Sequence, residues 1–299
     1  MQLGAVAPIG DIGGDPDVVR DYALGLEAIG YDFVEVTDHV LGVNTASRPD
    51  WPADRNTSRD YFHDPFVILT YITAVAPRLG LSTGVLILPQ RQTALVAKQA
   101  ACLDVLSRGR FRLGIGVGWN EVEFVGLNER FGNRGRRSEE QVEVMQALWR
   151  DAHVDFRGRY HTIDDAGINP RPASGRVPVW FGGHHENTLA RIARRGDGWM
   201  PNAYPPDGSA REVFDRLRRM VEAEGRDPAA VGIEVWTSCG AGSEADWRRE
   251  AAHWRDLGAT HLCLTTAFDR RHHHRIAGRT PDDHLAAARR YREAVADIL

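Results

Sequence analysis

The sequence predicts a (β/α)8 TIM barrel, with insertions after the second and fourth strands, as one domain over residues 1–299. Three observations carry this expectation. Apolar strand-length runs alternate with helical patterns eight times, which fits a barrel better than a doubly wound sheet of fewer strands. The unit at 79–121 shows the type: an apolar run at 81–88, a helical pattern at 93–106 and a second apolar run at 111–117. Parallel strands are buried on both faces and look almost continuously hydrophobic. The first turn, PIGDIGG, is glycine-rich, but no usable acidic residue follows the second strand as a dinucleotide fingerprint requires.

Taken in order, residues 3–7 read as the first strand. Asp15-Pro16-Asp17 then start a helix, with proline in the first turn and carboxylates at the positive dipole end, and Gly30 stops it. The second strand, 33–36, ends in Thr37-Asp38-His39. The segment 42–63 is polar and rich in Pro, Asn, Arg and aromatics, and a loop this long in a compact domain is usually a lid or binding loop. Asp64-Pro65 open the second helix, and the unit at 79–121 follows. Val142, Met145 and Trp149 mark one face of the next helix. Residues 151–176 break the rhythm, with a small hairpin expected around Phe156 to His161 and an extended Pro170-Arg171-Pro172. Strands at 177–181, 198–200, 233–237 and 261–264, each followed by a helix, complete the count.

Composition narrows the function classes. A net charge of −4 leaves no global electrostatic footprint for nucleic acid or an anionic membrane, so neither is expected as a partner. The three cysteines form no CxxC pair and lie in apolar patterns, as small buried hydrophobes of a reducing compartment do. The first eight residues lack a basic n-region, and no run reaches membrane-spanning length, so a cytoplasmic location is expected.

In a barrel, chemistry belongs to the C-terminal ends of the strands. Asp38 and His39 stand at one such end: His39 as proton donor or acceptor oriented by Asp38, or Asp38 as a cap and His39 bonded to backbone. Glu121 is either a base near a ring or an acid on a helix dipole. Gly182, Gly183, His184, His185 and Thr188 put free amides and polar side chains at a helix start, an anion-binding arrangement. Adjacent histidines point apart and no third ligand is evident, so no metal is expected. The run at 270–275, RRHHHR, reads as a solvated loop or as a cationic rim. Trp51, Tyr61 and Phe62 either cover a planar ligand or tie the long loop down.

The motifs EVTDHV, TGVLILPQRQTALVAKQAACLDVLSRGRFRLGIGVGWNEVEF and VPVWFGGHHENTLARIARRGDGWMP occur in order, and together they resemble the bacterial luciferase-like oxidoreductases. Within that family the chain resembles the subgroup dependent on the deazaflavin coenzyme F420. The resemblance implies a (β/α)8 barrel and a strand-three bulge at Gly84-Val85, with a non-prolyl cis peptide, that backs the deazaflavin or flavin ring. It implies that Asp38 and His39 stand beside the redox centre, that Glu121 is an acid near the ring, and that Trp119 and Asn120 line the pocket. Gly182, Gly183, His184, His185 and Thr188 would hold the cofactor phosphate. Val117 stands where flavin-using luciferases carry an arginine for that phosphate.

These expectations converge on an F420-dependent oxidoreductase acting on a small-molecule substrate, with His39 and Glu121 catalytic and a homodimer as the assembly. The alternatives are a two-component monooxygenase using reduced FMN and a barrel that binds a phosphorylated ligand without turnover.

Overall fold

The computed structural model describes residues 1–52 and 56–299. Its strands are β1 (Gln2–Val6), β2 (Phe33–Val36), β3 (Gly80–Thr83), β4 (Leu86–Ile87), β5 (Phe111–Gly116), β6 (Val154–Arg157), β7 (Thr162–Ala166), β8 (Val179–Gly182), β9 (Gly198–Met200), β10 (Gly232–Ser238) and β11 (His261–Thr265). β6 and β7 form a separate antiparallel hairpin, close to where proline and glycine interrupt the sequence rhythm. The others pair in parallel. The order β3-β2-β1-β11-β10-β9-β8-β5 closes through β3 against β5, so eight strands form a barrel, and β4 continues the line of β3 along β5.

That last pairing corrects one expectation. The apolar run at 81–88 is not one strand: it breaks at Gly84-Val85, where the peptide is cis, and residues 88–90 form a 3-10 turn.

The helices are α1 (Ile9–Ile12), α2 (Pro16–Ile29), α3 (Pro65–Val75), α4 (Thr93–Leu106), α5 (Glu121–Gly126), α6 (Arg134–Arg150), α7 (Glu186–Arg195), α8 (Ala210–Ala223), α9 (Glu244–Leu257) and α10 (Pro281–Ala294). Their ends follow from local chemistry. Asp15 accepts the amides of Asp17 and Val18 at 2.9 and 3.2 Å, and Gly30, at φ 94°, closes α2 in the left-handed region. Asp64 caps α3 through Phe66 and Val67 in the same way. The face of α6 marked by Val142, Met145 and Trp149 is buried, and the Trp149 indole donates to the Ala97 carbonyl of α4 at 2.9 Å. An indole buried this deeply needs that acceptor, because an unpaired N–H in the core costs about 1–3 kcal/mol. Among the described residues no helix is long and apolar enough to cross a membrane.

Candidate active site

The break between β3 and β4 organises the C-terminal mouth of the barrel. A Cβ at Gly116 would lie 2.6 Å from Val85 Cγ2, and one at Gly182 would lie 2.8 Å from Val85 Cγ1. The Val85 side chain thus sits in a notch that only glycine on β5 and β8 leaves open. A Cβ at Gly84 would meet the Glu35 carboxyl carbon at 2.0 Å, so glycine there lets an acid of β2 lie flat against the bulge.

Two connected spaces flank this bulge. A cleft of about 680 Å³, open mouth included, is bounded by Gly84, Val85, Gly116, Gly182, His184 and Met200. A wider recess of about 2200 Å³ extends past His39, Tyr61, Phe62, Phe268 and Arg271. Both are lined by Gly84, Val85, Ile87, Trp119, Asn202 and Trp236, so they form one site with the bulge between its two parts.

His39 faces the recess. Its Nδ1 lies 3.1 Å from Glu123 Oε2, and the other Glu123 oxygen accepts the amides of Val40 and Leu41 at 2.8 and 3.2 Å. Burial alone would raise Glu123, but the His39 bond and the two amides outweigh it and hold this carboxyl below its ordinary value. With Nδ1 engaged by a carboxylate, Nε2 has no protein partner among the described residues. Phe62 and Trp119 meet the imidazole edge-on at 4.9 and 6.0 Å, and Trp51 stacks on Trp119 at 5.6 Å. Trp51 and Phe62 both belong to the long loop, so this loop walls the recess.

Asp38 does not touch the imidazole. Its Oδ2 accepts the Ile87 amide at 2.9 Å and its Oδ1 pairs with Arg91 at 2.8 Å, while Arg91 also binds Asp64 at 2.8 Å. Asp38 is therefore a clamp from β2 to β4. Burial raises its carboxyl, and Arg91 pulls the other way.

The remaining expected site residues divide. Trp119 lines both spaces. Asn120 is buried, but its Oδ1 caps α5 through the Val122 amide at 3.1 Å, and it does not line the cleft. Glu121 is exposed in the first turn of α5, outside both linings. The acid brought to His39 is Glu123, two residues further along the same short helix.

Gly183, at φ 117°, needs its glycine, and its carbonyl is held by the Trp199 indole at 2.8 Å. His184 lines the cleft with Nδ1 buried and unpartnered; burial and then Arg271 hold its ring below the ordinary histidine value. His185 is exposed and caps α7 by accepting the Asn187 amide at 3.1 Å. Thr188 is buried under Gly183, with Oγ1 3.4 Å from where a Cβ would stand.

The run at 270–275 departs from a solvated loop. His273 is buried against Trp236 and Phe268 at 6.2 and 6.0 Å, and burial lowers its ring to about 3. Arg271 donates to the Asn202 carbonyl at 3.3 Å, and Arg275 pairs with Asp11 at 2.8 Å. Sequence reasoning also missed Glu35, Trp236 and Met200 in the lining, whereas Asn202, just after the run 198–200, is a strand-end residue the sequence marks. Of the three missed, only Glu35 left a trace, as an acid inside a buried strand run.

The profile of the luciferase-like monooxygenases matches residues 1–298. The chain belongs to this family. An uncharacterised protein from Mycobacterium tuberculosis strain H37Rv is 33% identical over 211 residues, 68% of this chain and 71% of that protein. Among solved structures, the monooxygenase RslO1 from Streptomyces bottropensis superimposes with a TM-score of 0.78 at 17% identity, covering 99% of each chain. An F420-dependent secondary alcohol dehydrogenase bound to an F420-acetone adduct gives 0.75 at 19% identity, covering 98% of each chain. At such identities these likenesses describe the luciferase-like fold, and its members are oxidoreductases and monooxygenases.

Proposed function

We propose that this luciferase-like protein is an F420-dependent oxidoreductase acting on a small organic substrate. The observation that carries the reading is the bulge at Gly84-Val85, its Val85 side chain seated in the notch left by Gly116 and Gly182, which lines both a ring-sized cleft and the recess that holds the His39 imidazole. The residues present fit a planar cofactor with a phosphate: glycine surfaces for the ring, and the orphaned His184 Nδ1 and the strained Gly183 turn for an anionic group. When bound, a deazaflavin supplies a hydride carrier, and the protein supplies position and electrostatics.

His39 holds or moves the proton at Nε2, with Glu123 fixing the orientation of the ring through Nδ1. Trp51, Phe62 and Trp119 exclude water from the recess where a substrate would lie. Val117 at the cleft favours F420, because a flavin-phosphate arginine is missing from that position.

The second reading, a reduced-FMN monooxygenase, is favoured by the likeness to RslO1. Titrating the purified protein with F420 and with reduced FMN separates the two. Tight binding of F420 with turnover of a secondary-alcohol or enone panel supports the first, and binding of FMN alone replaces it with the second. Binding of a phosphorylated ligand with no redox turnover under either cofactor leaves a non-catalytic barrel.

A further inference from the structure

Beneath the bulge, the barrel interior holds charges for which the proposed reaction has no use. Glu35 on β2 and Glu234 on β10 are buried, and an oxygen of each lies within 4.8 Å of the other and of Cys263 Sγ on β11. Arg112, on β5, is the cation of the group. It pairs with Glu234, donates to Ser82 at 3.1 Å, and is sandwiched between the Phe33 and Trp180 rings at 4.2 and 4.4 Å. A metal is not needed here, because the guanidinium already occupies the cation position.

Only two of the four carboxylate oxygens are reached by a donor among the described residues, and Arg112 Nη1 is itself buried without a partner. Glu35 Oε1 accepts the Trp236 indole at 2.8 Å, and Glu234 Oε2 is held by Arg112. Glu35 Oε2 and Glu234 Oε1 are buried with no donor. Two ionised carboxylates sharing one cation at this depth would leave one negative charge uncompensated, which costs several kcal/mol. A single proton between them removes that charge and supplies the missing donor. Consistent with this, burial and then the Glu234 charge push Glu35 well above the carboxylate range, against the pull of Arg112 and the Trp236 bond. The other titratable groups at hand are neutral: burial raises the Cys263 thiol, and burial and Arg112 lower His261 to about 3.

Glu35 lines the cleft, and its carboxyl lies against Gly84. We propose that Glu35 and Glu234 share one proton, and that this proton sets the charge of the pocket floor so that an anionic planar ligand is favoured while the pair holds it. This rests on the assignment of the cleft to a redox ring. With the proton in place, the pair and Arg112 sum to zero charge. Once it is released to solvent, the floor carries one net negative charge directly under the ring. By linkage, an anionic ring and the proton then reinforce each other's binding. Glu35 is in this sense a specificity-determining residue.

Infrared spectroscopy of the ligand-free protein at neutral pH should show a carboxylic-acid stretch that disappears in both Glu35→Gln and Glu234→Gln. Burial raises Glu250 to about 7 as well, so its band is identified by its loss in Glu250→Gln; no further band in the wild type, or a further band retained in both Glu35→Gln and Glu234→Gln, overturns the shared proton. The ligand half is read from tryptophan quenching by oxidised F420, whose deazaflavin ring ionises near neutrality. FMN, with a neutral oxidised ring, controls for phosphate charge. As pH rises through the titration of the pair, wild-type affinity for F420 should fall relative to that of Glu35→Gln by up to about tenfold per pH unit, while the two proteins keep the same pH dependence for FMN. Equal slopes in wild type and Glu35→Gln overturn the charge-setting role. Failure of both cofactors to bind overturns the ring assignment and the ligand half with it, and the infrared result still decides the proton. If Glu35→Gln does not fold, Glu234→Gln carries the same two readouts.

Discussion

At the scale of single residues, the site turns on which carboxylate faces which nitrogen. Glu123 binds His39 Nδ1 and two backbone amides, so it fixes the imidazole from a position that cannot itself swing away. His39→Ala should lower turnover by about a hundredfold or more, the usual worth of a positioned acid or base, with cofactor affinity little changed. Glu123→Gln keeps the shape but removes the charge, and should lower kcat without moving KM, while Glu121→Gln should leave both as they were. Steady-state kinetics on the three variants checks the assignment, and a fall in Glu121→Gln would return that acid to the site. The residues alone make Glu121 an acid on a helix dipole as readily as a base, and it is the family resemblance that puts it near the ring. That the acid two places later turns inward depends on where the Asn120 cap starts α5, and the cap is itself a tertiary outcome.

At the scale of elements, the strand ends were the legible part. The end of an apolar run marks Gly182 and Gly183, because a side chain there has no room or no allowed backbone, whereas Gly84 lies inside the run 81–88 and its bulge comes from the family resemblance. The interior acids were not legible. Glu35 stands in the run FVEV, and the partners that make it tolerable, Trp236, Glu234 and Arg112, lie far along the chain on β10 and β5. Nor does a residue string show that His273, within the run at 270–275, turns inward against Trp236.

The notch around Val85 gives a direct test of the element-level account. Gly116→Ala or Gly182→Ala forces Val85 off its seat and should cost about 1–3 kcal/mol of stability by overpacking, with a larger relative loss of cofactor affinity. Thermal melts and titrations of the same samples separate the two effects. Arg91→Ala leaves Asp38 buried without its cation and should destabilise by about 3–5 kcal/mol. Denaturant unfolding reads this directly.

At the scale of the whole molecule, buried titratable groups set how stability depends on pH. His261 and His273 are lowered to about 3 in the folded protein, chiefly by burial. The unfolded chain takes up protons on these rings near their ordinary value of about 6.5. Between those limits the unfolded state holds more protons, so stability should fall as pH drops from about 6.5 towards 3, by up to about 1.4 kcal/mol per ring and pH unit. His261→Gln together with His273→Gln should flatten that slope. Glu35 acts in the opposite sense: raised in the folded state, it costs stability as pH climbs above the ordinary carboxylate range, and Glu35→Gln should flatten the alkaline side. Chemical denaturation across pH shows both limbs.

The Arg91 clamp has a further consequence for how such a barrel diversifies. Its guanidinium grips Asp38, just before the long loop, and Asp64, just after it. Both roots of the loop are thus pinned to one side chain of the barrel, and residues 59–63 of the loop line the recess while none of its described residues joins the strand ring. Such a segment behaves as an interchangeable cassette: its length adds little to the entropy of closure, since its ends are already held together. Replacing residues 42–61 with a loop of different length should change which substrates are accepted and leave the melting temperature of the barrel nearly unmoved. New specificities can therefore arise by replacing the cover while the chemistry beneath is inherited intact.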